Sequence, residues 1–133
     1  MLRTPCPCGS GEYLDRCCGR LHRGAAQALT AEELMRSRYA AFAIGEVDHL
    51  LRTWHPRTRP DRLELDPAQR WTGLEITEVV AGGPGESTGV VAFVARYEVA
   101  GRAGALVERS AFERRAGRWF YVDGVLGADA SPH

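Results

Sequence analysis

Four cysteines carry the most distinctive chemistry in the chain. Cys6, Cys8, Cys17 and Cys18 all lie in the run CPCGSGEYLDRCCG, and no cysteine follows Cys18. Disulfides are one use for them. Joining Cys6 to Cys8, or Cys17 to Cys18, would close a strained ring. Bridges between the two pairs would staple only a short loop, and cytosolic thiols are kept reduced. The other use is a metal. Four thiolates converging on one tetrahedral ion suit zinc, with bonds of about 2.3 Å, and iron is the second choice. The spacing is C-x-C, eight residues, then C-C, tighter than a generic zinc knuckle. Gly9, Ser10 and Gly11 permit the sharp reversal this needs, and their N–H groups can point at sulfur. Glu12 to Arg16 then fits about one helical turn. Four thiolates on a dication leave a charge of about −2, which Arg3, Arg16, Arg20 and Arg23 can offset. Four protein ligands leave no open position for water, so the expected role is structural. His22 lies close by and is read as a spare.

A second set is spread over the rest of the chain. Arg38, Tyr39, Trp54, His55, Trp71, Glu108, Ser110, Tyr121 and Asp123 offer a cation, acids, a base, hydroxyls and aromatic walls. Brought together they form a candidate pocket, with His55 as base, Glu108 or Asp123 as acid or orienting group, and Arg38 as anion holder. The structural alternative is a buried ion pair of Arg38 with Glu108 or Asp123, tryptophans in the core, and His55 capping a backbone carbonyl.

Elements must position both sets. Residues 19–29 are Gly- and Ala-rich and read as a linker. Thr30 with Glu33 forms a capping box that opens a helix from Ala31 to about Ile44, and Gly45 suits its C-terminal cap. Leu34, Met35, Tyr39, Phe42 and Ala43 make its apolar face, with Arg38 on the same stripe. A short helix covers Glu46 to Thr53 and stops before His55-Pro56. Residues 57–70 are loop. From Trp71 the period becomes two. Strands are expected from about Trp71 to the turn at Gly82-Gly83-Pro84-Gly85, then over 88–99, 105–115 and 118–126. Gly101 and Gly104 bracket one turn, and Gly117 marks the next. In one strand Glu108, Ser110 and Phe112 share a side; in the next Trp119, Tyr121 and Asp123 do. Helices followed by an antiparallel meander make an α+β fold. The tail GADASPH is expected to fray.

Composition bounds the rest. The 133 residues carry 17 basic and 17 acidic side chains, a net charge of zero. Nothing in that balance calls for general nucleic-acid binding. All the basic residues are Arg, with no Lys and no Asn, which reads as the coding bias of a GC-rich genome. No apolar run is long enough to span a membrane and no secretory signal opens the chain, so a cytoplasmic location is expected. No phosphate loop, dinucleotide fingerprint or nucleophile elbow is present.

The run CPCGSG…CC closely resembles the SEC-C motif, the zinc-binding tail also found on the SecA translocation ATPase. Downstream, ELMRSRYAAF, TWHP, WTGLEI, GVVAFVARYE and ERSAFERRAGRWFYVDG resemble the YchJ-like proteins. These join a SEC-C motif to a core of the nuclear transport factor two (SnoaL-like) type. The resemblance implies a zinc motif over 1–24 and a cone-shaped α+β domain over 30–127. In that cone, a cystatin-like fold, a curved antiparallel sheet wraps helices around a conical cavity. Many relatives carry a second SEC-C motif near the C-terminus; this sequence shows one.

Three functions follow as expectations. The first is a zinc-containing interaction or adaptor module, its knob edged by Arg16, Arg20 and Arg23, docking on a protein or ribosome-associated partner as the SecA tail does, with the cone as scaffold or small-ligand receptor. The second is an isomerase, dehydratase or hydrolase built on the cone pocket. The third is metal storage or delivery. The enzyme reading requires a His–carboxylate contact inside a cavity of roughly 300 Å³ or more.

Overall fold

The computed structural model describes residues 4–127. Arg3 and the tail residues 128–133 lie outside the described residues. A 3-10 turn, Leu14–Arg16, leads into helix α1 (Cys18–His22). Helices α2 (Ala31–Ile44) and α3 (Val47–Arg52) follow. Four strands complete the chain: β1 (Gln69–Ala81), β2 (Thr88–Val99), β3 (Arg102–Arg115) and β4 (Arg118–Leu126). They form one antiparallel sheet in the order β1-β2-β3-β4. The α+β meander is as expected. Among the described residues no helix is long and apolar enough to cross a membrane.

Helix α2 runs between the two signals that define it. Thr30 Oγ1 accepts from the Glu33 N–H at 3.0 Å. At the other end Gly45 is left-handed, φ 87°, and its N–H returns to Ala41 O. The capping box is shifted by one residue, because Glu33 accepts from the N–H of Leu29 (2.8 Å) and not of Thr30. One apolar stripe was expected, yet α2 is buried on two sides. Leu34, Met35 and Tyr39 pack with Val91, Phe93, Ala95 and Phe112 of the sheet. Ala40, on another side, packs with Cys6, Cys8 and Cys18.

Residues 19–29 are not a linker. They contain most of α1, and Leu21 and Ala28 are buried in the main core. The small residues serve close approach here. A Cβ on Gly19 would sit 2.7 Å from Leu14 O, so α1 can abut the 3-10 turn only with glycine at that position.

Two-residue turns Ala100-Gly101 and Ala116-Gly117 join β2 to β3 and β3 to β4. Both residues of each have positive φ, as a type I′ hairpin requires. Gly104 lies inside β3, not at a turn as expected. The Tyr97 ring occupies the space its side chain would take. Register shifts at Trp71/Gly73 and Ile76/Glu78 interrupt the β1–β2 pairing. Another at Ala111/Phe112 interrupts β3–β4. Such bulges bend and twist a sheet. Segment 53–58 covers the free edge of β4: the Tyr121 N–H donates to Thr53 O, and the His55 N–H to Tyr121 O.

Candidate metal centre and cone cavity

The four cysteine sulfurs lie within 4.8 Å of one another. Cys8 Sγ and Cys17 Sγ are 3.6 Å apart, and Cys17 Sγ and Cys18 Sγ 3.9 Å. A tetrahedral ion with bonds of about 2.3 Å spaces its sulfurs by about 3.8 Å. The donor set therefore fits a tetrahedral thiophilic cation. Backbone geometry brings the sulfurs together, since Gly9 and Gly11 take positive φ of 81° and 90°. The 3-10 turn then returns Cys17 and Cys18. The Ser10 N–H supports the Cys8 sulfur, and the N–H groups of Cys8 and Cys18 support Cys6. Ser10 Oγ is 3.1 Å from Cys17 Sγ.

The sulfurs compete for negative charge. A hydrogen bond from Cys18 draws the Cys8 thiol down to about 4. The same bond, with burial, pushes Cys18 up, and burial pushes Cys6 up. A divalent cation among them would end this competition by stabilising every thiolate at once.

The knuckle is braced against the helices. Arg36 Nη1 donates to Cys8 O at 2.8 Å. Two arginines expected to edge a partner surface take part in this bracing. Arg20 donates to Cys17 O and pairs with Glu33 at 3.0 Å. Arg23 donates to Asp15 O at 3.1 Å and stays exposed. Arg16 is exposed beside the motif. His22 is absent from the thiolate cluster. Its Nε2 donates to Ser37 O at 2.8 Å, and its ring lies 4.7 Å from that of His49. His49 Nε2 is 3.0 Å from Ser37 Oγ, whose own hydrogen goes to Leu34 O. Burial, with His22 and Arg52 alongside, holds the His49 imidazolium down to about 3. This His–His seam joins α1 to α2 and α3; nothing in the residue pattern singled it out beyond the position of His22.

Between the helices and the sheet lies a cavity of about 180 Å³. Seven of the nine expected pocket residues line it: Arg38, Tyr39, Trp54, Trp71, Glu108, Ser110 and Tyr121. Met35, Phe42, Phe93, Ala95 and Leu106 complete the wall. Leu106 shares a strand face with Glu108 and Ser110, so its alternation was legible. Phe93 and Ala95 entered through the β2–β3 register, which sets them opposite Glu108 and Leu106.

Arg38 is 3% exposed and has no ion-pair partner among the described residues. Its Nη1 donates to Leu50 O and Thr53 Oγ1, both at 2.8 Å. Its guanidinium lies over the rings of Trp54 (5.0 Å) and Tyr121 (4.5 Å). Burial lowers its pKa to about 10, and the nearby Tyr121 and Glu108 oppose that shift, so it stays charged near neutrality. Glu108 Oε2 accepts from Ser110 Oγ at 2.7 Å and Tyr121 Oη at 3.3 Å. Gly124 makes room for this carboxylate, since a Cβ there would fall 1.9 Å from Glu108 Oε2. Burial, and then the charge of Glu108, raise the Tyr121 phenol.

His55 and Asp123 do not join the cavity. His55 is buried elsewhere, against Phe120. Its Nδ1 accepts from the Arg57 N–H and its Nε2 donates to Glu113 Oε1, both at 3.0 Å. It therefore neither meets Glu108 nor caps a carbonyl. Alternation put Asp123 with Tyr121, but the bulge in β4 adds one residue between them. Asp123 consequently pairs with Ala111 while Tyr121 pairs with Phe112, and Asp123 is exposed. The cavity is also smaller than the enzyme reading required, and no histidine among the described residues lines it.

A four-cysteine knuckle docked on helices and a bent antiparallel sheet defines a SEC-C-bearing protein with a core of the nuclear transport factor two type. The family model for the YchJ middle NTF2-like domain matches residues 30–124, and the chain belongs to that family. A UPF0225 protein of Streptomyces coelicolor is 58% identical over 93% of this chain and 97% of its own length. One from Chromobacterium violaceum is 51% identical over 93% and 94%. The solution structure of a SEC-C motif-containing protein from Rhodopseudomonas palustris superposes with a TM-score of 0.79 at 35% identity, covering 90% of this chain and 96% of that one. The crystal structure of another, from Psychrobacter arcticus, shares the fold with a TM-score of 0.74 at 24% identity. It covers 95% of this chain and 84% of that one.

Proposed function

We propose that this protein is a zinc-dependent interaction module, in which a structural ion fixes the SEC-C knuckle on α2 so that its outer face can engage a protein partner. The closed donor set carries the reading. Four sulfurs within 4.8 Å, three of them on buried residues, leave no ligand position for substrate or water. The same closure argues against storage or delivery, which needs an exchangeable ion. Arg16 and Arg23 are exposed cations beside the knuckle. The likeness to the SecA tail makes ribosome- and secretion-associated proteins the first partners to test. In co-sedimentation with ribosomes and pull-down with SecB, Arg16→Glu should weaken binding while zinc content stays at about one ion per chain. Binding that survives this charge reversal unchanged sinks the proposal.

One observation favours a second reading beside it. A cavity of about 180 Å³ with a charged pair on its wall is suited to a small ligand, as receptor or as enzyme. As an isomerase, dehydratase or hydrolase it would use Glu108 as base, in place of His55.

A further inference from the structure

The cone wall holds two opposite charges, each with hydrogen-bonding capacity left over. Arg38 spends both Nη1 hydrogens on Leu50 O and Thr53 Oγ1. Its Nε and Nη2 find no hydrogen-bond acceptor among the described residues. Glu108 spends Oε2 on two hydroxyls, and nothing among the described residues donates to its Oε1. The two groups feel each other electrostatically without touching as a salt bridge. Their charges cancel, and among the described residues no other charged side chain lines the cavity. An ionised guest would bring an uncompensated charge into an aromatic, low-dielectric chamber, which is costly. A neutral guest meets no such penalty. It gains most if it offers an acceptor to the guanidinium and a donor to the carboxylate side by side. Amides and lactams do this. The aromatic side chains Trp54, Trp71 and Phe42 line much of the remainder. A dry cavity of about 150 Å³ is known to hold one benzene ring, so this one admits a single ring with a small substituent.

We propose that the cone of this protein binds a neutral single-ring amide or lactam, its carbonyl facing Arg38, its N–H facing Glu108 Oε1, and its ring against the tryptophans. The proposal rests on the second reading above, that the cone is a ligand cavity, and is independent of the metal.

The test uses the full chain, 15N-labelled, titrated in turn with benzamide, toluene, benzoate and benzylamine. The indole N–H signals of Trp54 and Trp71 report occupancy. Benzamide should saturate at millimolar concentration or below. It should bind about tenfold tighter than each of the other three, the worth of one good hydrogen bond or of one uncompensated charge. Glu108→Gln should keep toluene binding and lose the preference for benzamide. Gly124→Ala, which displaces the Glu108 carboxylate without removing it, should do the same, with spectral dispersion confirming that both variants fold. If no probe moves either indole, the cavity reading and the proposal fall together. If toluene binds as well as benzamide, the cavity stands and the amide assignment falls, water alone then bridging the charges. A preference for benzoate or benzylamine overturns the charge argument and with it the proposal.

Discussion

The knuckle and the cone reach an ordered site by opposite routes. In the knuckle the ligands lie within thirteen residues of chain, and backbone turns at Gly9 and Gly11 aim them. The site is closed, and its four sulfurs compete for a negative charge that a bound cation would stabilise. In the cone the polar groups come from α2, β3 and β4. Each is held partly by other elements: Arg38 by the carbonyl of Leu50 and two aromatic rings, Glu108 by Tyr121 and the space at Gly124 as well as by Ser110 of its own strand. A local site of this kind can draw stability from a bound ion. A dispersed site needs the whole core and can leave volume free. The two regions meet at α2, which lends Ala40 and Arg36 to the knuckle and Arg38 and Tyr39 to the cavity.

If stability is divided in this way, the largest effect belongs to the thiolates. Cys18→Ser should reduce zinc from about one ion per chain to none by elemental analysis. It should cost on the order of 3 kcal/mol in denaturant unfolding, while far-UV circular dichroism keeps the sheet signal. Loss of the sheet together with the metal would mean that the regions fold as one.

The His22–His49 seam tests how tightly they are joined. Folding holds His49 at about 3 against an ordinary value of 6.5. As pH falls the unfolded chain therefore takes the proton first. The stability present above about pH 6.5 is lost progressively down to about pH 3, by at most ~1.4 kcal/mol per pH unit. The groups facing His49 are His22 from α1, Arg38 from α2 and Arg52 from α3, none of them acidic. Melting temperatures of His49→Gln and the parent chain, compared between pH 7 and pH 4, should show a shallower slope in the variant. Equal slopes would remove His49 as a source of acid sensitivity.

The smallest effect belongs to the sheet alone. Ala116 opens a type I′ turn at φ 49°, a region that Ala enters at a cost and Asn tolerates. Ala116→Asn should stabilise by about 0.5 kcal/mol, roughly 2 °C in melting temperature, with metal content unchanged. A gain confined to thermal unfolding would sharpen the division; a change in metal content would break it.

Much of this was legible in the residues. Thr30, Glu33 and Gly45 set the ends of α2 because caps are local hydrogen bonds. The spans of β2 and β4 followed from alternation and glycine turns. The cysteine set was legible because spacing alone limits what four sulfurs can reach. The seven cavity residues were found from side-chain type and alternation. His55 and Asp123 were misplaced because both depend on what strand β4 does. Its bulge reverses the parity of Asp123, and its edge pairing with segment 53–58 turns His55 toward Glu113. A bulge leaves no mark in the alternation of nine residues. The linker reading failed at residues 19–29 because small residues read the same whether they are flexible or closely packed.

By itself, then, the sequence determined the cysteine cluster, the extent of α2 and the order of the meander, since each rests on interactions between residues near in the chain. The tertiary structure alone decided that the knuckle docks on α2, that Arg38 lies over two rings and not on an acid, and that Glu108, not His55, faces the cavity. Those outcomes depend on register, bulges and interhelical packing. They are set by which distant surfaces exclude water together, a competition that no short stretch of chain contains.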